Sequence, residues 1–141
     1  MFIQGKLQEH LIENAILAEQ KNTGAQTLFI GRIRREQRGN AWVEYIEFTA
    51  QEELAEKTTL KIITESKEKY GVHCIKVWHS LGKVSANDAC FLVTVRGTHR
   101  KECFRALEYV VDEFKNRCPV FGREVMNDGS YTWKENRKYQ E

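Results

Sequence analysis

Three short stretches of this sequence concentrate side chains that could bind an anion or move a proton. "GRIRREQR" (31–38) carries four arginines, "RGTHRKE" (96–102) a histidine–arginine pair, and "EFKNRCPVFGRE" (113–124) a lysine, two arginines and the chain's single proline. Guanidinium groups suit bidentate contacts with phosphate or carboxylate, while imidazole and amine groups can transfer protons. The three stretches therefore indicate a site for an anionic ligand, provided that the fold assembles them.

The third stretch contains the first candidate for chemistry, Lys115. At 100° per residue it lies about 20° from Phe104, at the edge of an apolar arc whose members are Cys103, Phe104, Leu107, Val110, Val111 and Phe114. A lysine there is predicted to be partly desolvated, which lowers its pKa toward the range in which an amine acts as a base or nucleophile. The alternative is a lysine whose stem covers apolar surface while its ammonium stays in water.

Each of the other two stretches also has a functional interpretation and an ordinary structural one. Thr98 is predicted to cap a helix that begins with His99 and Arg100, where free N–H groups favour an anion, and Arg100 falls inside the apolar arc. The alternative is an ordinary polar helix start. The arginines of 31–38 are predicted to lie on a loop that delivers guanidinium groups to a phosphate or carboxylate, or else to form a solvated loop.

Apolar periodicity predicts the elements that must position these groups. Helices are expected at about 6–20, 52–69 and 99–117, the last ended by Pro119. Strands are expected at 25–33, 41–48, 71–82 and 89–97, with two short ones across the Asn-Asp-Gly turn that follows residue 126. The first of these strands suits a buried position, and it is predicted to form a hairpin with the second across the basic loop. The order predicts a single α+β domain over residues 1–141 with a mixed, mainly antiparallel sheet.

Composition bounds the class of protein. The chain has 141 residues, 41% hydrophobic and 30% charged, with a net charge of +2, and it shows no RNP-type aromatic pattern. These features predict a globular protein that binds no nucleic acid. No stretch approaches the roughly 18–20 apolar residues of a membrane span, and the N-terminus lacks the apolar run of a signal peptide. A cytoplasmic protein is expected.

Cysteine and histidine spacing indicates no metal site. The four cysteines contain no C-x-x-C pair, which predicts reduced, mostly buried thiols rather than a zinc site. His10, His73 and His79 show no ligand spacing and are interpreted as structural or surface groups. We therefore expect no metal and no cofactor.

Taken in order, the motifs resemble the large, catalytic subunit of molybdopterin synthase. The matching segments are "GAQTLFIGRIR" (24–34), "HSLGKVSANDACFLVTVRGTHRKECFRALEYVVDEFKNRCPVFGRE" (79–124) and "YTWKEN" (131–136). The resemblance implies a dimerising, α/β-hammerhead-like domain that converts cyclic pyranopterin monophosphate to molybdopterin. It implies that two sulfur atoms come from the C-terminal Gly-Gly thiocarboxylate of a small ubiquitin-like partner, within a heterotetramer and without a metal.

The resemblance also assigns roles residue by residue. Lys115 matches the lysine beside the thiocarboxylate, with a role in stabilising negative charge and transferring protons. Arg34 matches an active-site arginine, and His99 with Arg100 matches a substrate-binding pair of which at least one member reaches across the dimer interface. Arg123 matches a secondary candidate for the substrate phosphate.

The sequence departs from the family pattern at several positions, including Ser80, Asn87-Asp88 and, most importantly, a catalytic position. The family's second catalytic lysine falls on Gly122, a loss that Arg123 or Lys134 could offset. This departure motivates a second hypothesis, a non-catalytic or weakly active member that binds the partner's tail without completing the dithiolene. A phosphate- or RNA-binding module is a third hypothesis, supported by the arginine loop and opposed by the low net charge.

Overall fold

The computed structural model describes residues 1–18 and 21–134. It contains three helices, α1 (Glu9–Leu17), α2 (Glu52–Tyr70) and α3 (Arg100–Arg117). The eight strands are β1 (Phe2–Gln4), β2 (Ala25–Arg32), β3 (Gln37–Arg38), β4 (Ala41–Ala50), β5 (Cys74–Ser85), β6 (Ala89–Gly97), β7 (Val120–Met126) and β8 (Tyr131–Trp133). No helix among these residues is long and apolar enough to span a membrane.

The strands form one mixed sheet. Its order is β2-β6-β5-β4-β7-β8, with β3 beside β4 and β1 beside β5. The β1–β5 pairing is parallel and the other pairings are antiparallel. Helix α3 packs on β2 and β6 and against α2, whereas α1 lies against β6. This arrangement confirms the predicted α+β class with a mainly antiparallel sheet and three helices.

Strand β6 lies at the centre of the core because both of its faces are apolar. Every residue of this strand is buried, and alternate side chains of a strand point to opposite faces. Val93 and Val95 join the main core, to which α3 contributes Cys103 and Val110. Leu92 belongs to a smaller cluster on the other side, where Leu7 and Ala15 pack.

The predicted hairpin between the first two strands is wrong. β2 pairs with β6 along its whole length, while β4 lies between β5 and β7. A central strand such as β6 needs hydrogen-bonding partners on both edges, and β2 provides one of them. β2 is consequently an edge strand with no fully buried residue, rather than the buried strand that its composition predicted.

The start of the chain also differs from the prediction. Residues 2–4 form a strand that was not predicted, and α1 begins at Glu9 rather than at about residue 6. The intervening Leu7 lies outside the helix: its N–H donates to the carbonyl of Ala89 at 2.9 Å and its side chain enters the smaller core cluster. The predicted last residues of this helix, Glu19 and Gln20, lie outside the described part of the chain.

Helix α3 confirms most of its prediction. It ends at Arg117, just before Pro119, and it buries Cys103, Ala106, Val110 and Phe114. Two details are wrong. Phe104 is 59% exposed although it falls on the predicted apolar arc, and the N-cap is His99 rather than Thr98. The N–H of His99 donates to the Glu102 carboxylate at 3.2 Å, which is the reason that the helix begins one residue later.

The cysteine and turn predictions are confirmed. All four cysteines are free thiols, of which Cys90, Cys103 and Cys118 are buried and Cys74 is partly buried. β7 and β8 pair across the Asn-Asp-Gly turn, where Gly129 adopts a φ of +87° that favours glycine.

Gly24→Ala is expected to lower the free energy of unfolding by about 2 kcal/mol. A Cβ at this position would collide with the carbonyl oxygen of Thr98, and this backbone atom, held between β6 and α3, moves less readily than a side chain. Urea denaturation of the variant and the wild type measures the difference.

Gly39→Ala provides the control for this substitution. Its Cβ would meet no atom within 4 Å, although its φ of +63° disfavours alanine. Its expected cost is about 1 kcal/mol. If Gly24→Ala cost no more than Gly39→Ala, the close approach of β2 to the start of α3 would not be a constraint on the fold.

Candidate active site

A cavity of about 390 Å³ opens beside the C-terminal end of α3. Its wall combines the last turn of that helix with residues of five strands, β4 to β8, and the end of β2. Three of the described lining residues are cationic, namely Arg32, Lys115 and Lys134, and none is Asp or Glu. The volume suits a small molecule or the end of a peptide, and the charge favours an anion.

Lys115 reaches this cavity because its neighbour in α3 anchors the helix. Phe114 is buried in the core, so the next residue projects at the edge of the buried face and its ammonium lies 5.7 Å from the ring centre of Phe29. Although the residue as a whole is exposed, burial around its ammonium lowers the pKa of Lys115, and the charge of Lys134 lowers it further. The predicted desolvation of Lys115 is therefore confirmed in direction.

An ion-paired cluster holds the end of α3 in place. Arg117 donates to the Glu65 carboxylate of α2 at 2.6 Å, and Tyr109 donates to the same carboxylate at 2.9 Å. The hydrogen bond from Arg117 is the main cause that lowers the pKa of Glu65. Arg117, one of the two arginines in the third stretch, is thus engaged in joining two helices rather than in lining the cavity.

The floor of the cavity is aromatic and uncharged. His79 lies among Phe48, Phe91 and Phe114, with ring centres 4.9, 5.2 and 5.5 Å away. Its Nδ1 is 2.7 Å from the carbonyl oxygen of Ser80, and since a carbonyl only accepts, Nδ1 carries the proton of the neutral ring. Burial lowers the pKa of His79 to about 4. The ring is therefore neutral at physiological pH.

Cys90 completes the uncharged floor. Burial raises the pKa of its thiol to about 11, and Sγ lies 3.5 Å from the carbonyl oxygen of Gly31. The thiol is consequently protonated and a weak nucleophile. Against such a low-dielectric floor, charges at the rim interact more strongly than in water.

Lys134 reaches the cavity from the end of β8. Its backbone N–H donates to the carbonyl of Gly122 at 2.7 Å, which continues the β7–β8 pairing by one residue. Its charge lowers the pKa values of Lys115, His79 and Cys90, so its ammonium acts on the same space. Of the matching segment 131–136, Glu135 and Asn136 lie outside the described residues.

Gly122 packs closely against the core, where even a Cβ would be crowded. A Cβ there would lie 3.1 Å from Cγ2 of Ile46 and 3.2 Å from Cε1 of Phe48. Both neighbours belong to the core, and Phe48 also lines the cavity. The position contributes a carbonyl that fixes Lys134, and it contributes no charge.

His99 and Arg100 lie at the other end of α3. Both are exposed at its first turn, and Lys115 follows Arg100 by fifteen residues, which is roughly 22 Å along a helix that rises 1.5 Å per residue. One copy of the chain therefore does not bring this pair to the cavity. The exposure of Arg100 also differs from its position in the predicted apolar arc.

The arginines of 31–38 diverge rather than forming one cationic loop. Arg32 lines the cavity and donates to the Asn87 carbonyl at 3.1 Å. Arg34 is exposed, with its guanidinium 3.7 Å from Glu36. Arg35 stacks on Trp42, and Arg38 pairs with Glu124 at 3.0 Å. Arg34, the predicted site residue, does not line the cavity within one chain, whereas Arg32 does.

Arg123 lies on the face of β7 opposite to Gly122. Its guanidinium is 3.4 Å from the Glu47 carboxylate and 5.0 Å from the ring centre of Tyr131. It does not line the cavity, so the structure does not bring it to Lys115. Its role toward a phosphate stays a prediction.

Three features of the site were missed by sequence reasoning. The aromatic surroundings of His79 and the cavity-facing Arg32 depend on contacts between strands far apart in the chain, and the pocket position of Lys134 depends on the pairing of β7 with β4. For His79 the sequence offered one signal, its position in the motif "HSLG". The structure buries the first residues of that motif. Within residues 1–18 and 21–134, no group of three or more His, Cys, Asp or Glu side chains is arranged to hold a metal ion.

Comparison with known proteins identifies the family. The matching family is described as "MoaE protein", and the match covers residues 6–117. The chain belongs to the MoaE protein family. Among curated MoaE relatives, the molybdopterin synthase catalytic subunit of Pyrococcus abyssi is 34% identical over 89% of this chain and 85% of its own. That of Bos taurus is 31% identical over 82% of this chain and 60% of its own, so the chain spans about three fifths of this longer relative.

Solved structures of MoaE relatives share the fold. Molybdopterin synthase from Staphylococcus aureus superposes with a TM-score of 0.85 and 26% identity, covering 96% of both chains. A chain from the complex of subunits 1 and 2 of the molybdopterin-converting factor from Helicobacter pylori gives a TM-score of 0.79 at 26% identity, covering 98% of this chain and 91% of that one.

Proposed function

We propose that this chain is the catalytic subunit of a molybdopterin synthase, an enzyme of molybdenum cofactor biosynthesis. It converts cyclic pyranopterin monophosphate to molybdopterin by inserting two sulfur atoms, and it is in this sense a sulfurtransferase. Family membership supports the reaction. The position of Lys115 is the observation that supports a particular site for this reaction, because its ammonium lies at a cationic cavity with an apolar floor.

The cavity suits the end of a sulfur-carrying tail. A thiocarboxylate is an anion whose sulfur bonds to a carbon of the substrate in place of an oxygen group that leaves. The C–S bond to the tail then breaks as water adds to the acyl carbon, so that the sulfur stays on the substrate and the tail ends in a carboxylate. The tail is negatively charged before and after this step, and charge also develops on its oxygen as water adds. The Lys115 ammonium stabilises that charge, and its lowered pKa makes it a better proton donor than an ordinary lysine.

The partner in this proposal is a small ubiquitin-like subunit that ends in Gly-Gly. Support comes from the complex of two subunits in the relative from Helicobacter pylori. A Gly-Gly end can approach the wall of the cavity closely because neither residue has a side chain. We place this tail in the cavity, with its terminal carbon at the ammonium of Lys115.

A second copy of the chain would complete the site. His99 and Arg100 are exposed at the end of α3 remote from Lys115, so their predicted contact with substrate needs another subunit. In the proposed heterotetramer, two copies of this chain form a dimer, and the pair from one copy reaches the cavity of the other. Arg34, which is exposed beside Glu36, would also bind substrate from the second copy.

The competing hypothesis, a member that binds the tail without catalysis, rested on Gly122. The curated relatives that match this chain are named as catalytic subunits, which does not favour a binding-only protein. The cavity also keeps a second lysine near Lys115 although Gly122 carries none.

Reconstitution tests the proposed function. The purified chain is mixed with thiocarboxylated small subunit and cyclic pyranopterin monophosphate, and the oxidised product is measured by its fluorescence. We expect molybdopterin to form in an amount that requires two thiocarboxylates per product molecule. A stable complex between the two proteins that yields no product would instead favour the binding-only hypothesis.

A further inference from the structure

We propose that Lys134 is the second anion-binding residue of this cavity and that, with Lys115, it holds the carboxylate or thiocarboxylate at the end of the partner's tail. This inference rests on the proposed function for the identity of the anion. It assigns to the end of β8 a role that the sequence left open between Arg123 and Lys134.

The first observation is the backbone that places Lys134. β8 pairs with β7 so that Arg123 faces Trp133, and the next N–H, that of Lys134, donates to the Gly122 carbonyl at 2.7 Å. Because a hydrogen-bonded ladder fixes the position of its residues, the backbone of Lys134 has a defined position at the rim of the cavity and does not belong to a free loop.

The second observation is the charge around the cavity. Lys115 and Lys134 approach the same space from a helix and a strand, and each like charge disfavours the other. Arg32 adds a third cation to the lining, and no Asp or Glu is among the described lining residues. An anion in the cavity offsets the repulsion between these like charges, since one carboxylate interacts favourably with both ammonium groups.

The third observation excludes Arg123 from this role. Its guanidinium is 3.4 Å from the Glu47 carboxylate and stacks on Tyr131, on the opposite face of β7. Lys134 is thus the described lysine that shares the cavity with Lys115.

Substitution of Lys134 tests the inference. Lys134→Gln is expected to lower kcat/KM about tenfold, mainly through a higher KM for the thiocarboxylated small subunit, because a charged hydrogen bond to the tail is lost. Lys134→Arg keeps the charge and should restore most of the activity. Lys67→Gln, which removes an exposed lysine near the end of α2 and away from the cavity, should behave as the wild type. A Lys134→Gln variant with wild-type kcat and KM would overturn the inference while leaving the proposed function intact.

The pKa of Lys115 separates failure of the inference from failure of the proposed function. NMR titration of its Cε resonance needs neither partner nor substrate. The pKa should rise in Lys134→Gln and stay unchanged in Lys67→Gln, because Lys134 lowers it in the wild type. If the wild type made no product, this rise would still support a shared anion site, whereas an unchanged pKa in Lys134→Gln would overturn it.

Discussion

Lys115→Ala is expected to reduce product formation by roughly 10²–10³-fold while the protein stays folded. In the proposed reaction, the substitution removes the cationic group that stabilises the charge developing on the tail. The cost to the fold should be small because the residue is exposed, its described contact with the Phe29 ring is peripheral, and alanine favours a helix. Single-turnover kinetics with saturating small subunit measure the chemical step, and urea denaturation measures the stability.

The pH dependence gives this prediction a second readout. Since the pKa of Lys115 is lowered, its ammonium form is lost at a lower pH than that of an ordinary lysine. The wild-type rate should therefore fall as the pH rises through that pKa. Lys115→Arg should show no such fall, because arginine stays protonated. A Lys115→Ala variant that keeps half of the wild-type rate would exclude Lys115 from the chemical step.

Acidification from pH 7 to pH 4 is expected to remove about 3 kcal/mol of the wild-type protein's stability through His79 alone. Burial holds the pKa of His79 at about 4, against an ordinary value of 6.5. The unfolded chain therefore binds a proton as the pH falls through 6.5, whereas the folded chain does not until about 4. The contribution of the neutral ring is complete above pH 6.5 and is lost progressively below it.

His79→Phe isolates this contribution from those of the carboxylates. Phenylalanine fills the space among Phe48, Phe91 and Phe114 but does not titrate, although it loses the hydrogen bond to Ser80. The free energy of unfolding of both proteins is measured in urea at several pH values. The wild type should lose about 3 kcal/mol more than the variant between pH 7 and pH 4. Equal losses would mean that His79 titrates normally in the folded state.

The parts of the site that depend on local sequence were predictable. The position of Lys115 follows from the apolar periodicity of α3, because a buried Phe114 places the next residue at the edge of the buried face. Pro119 determines where this helix ends, and the turn at Gly129 joins β7 to β8. Each of these features is determined by residues within a few positions of one another.

The remaining features depend on which strands pair, and local patterns do not contain that information. The apolar run of β2 is equally compatible with β4 and β6 as partners, and it pairs with β6 because both edges of that buried strand require hydrogen bonds. The pairing of β4 with β7 likewise brings Gly122 beside Phe48, and β7 in turn positions Lys134 at the cavity. Phe104 was wrongly assigned to the core because a helical wheel shows the direction of a side chain and not the extent of the neighbouring layer.

A crystal structure of this chain with its small subunit would test most directly whether the cavity at the end of α3 is the site of sulfur transfer. The predicted result is the partner's Gly-Gly tail lying in the cavity, with its terminal carboxylate in hydrogen-bonding contact with the ammonium groups of Lys115 and Lys134. A tail bound elsewhere, with the cavity open and Lys115 distant from the terminal carbon, would contradict the proposed site.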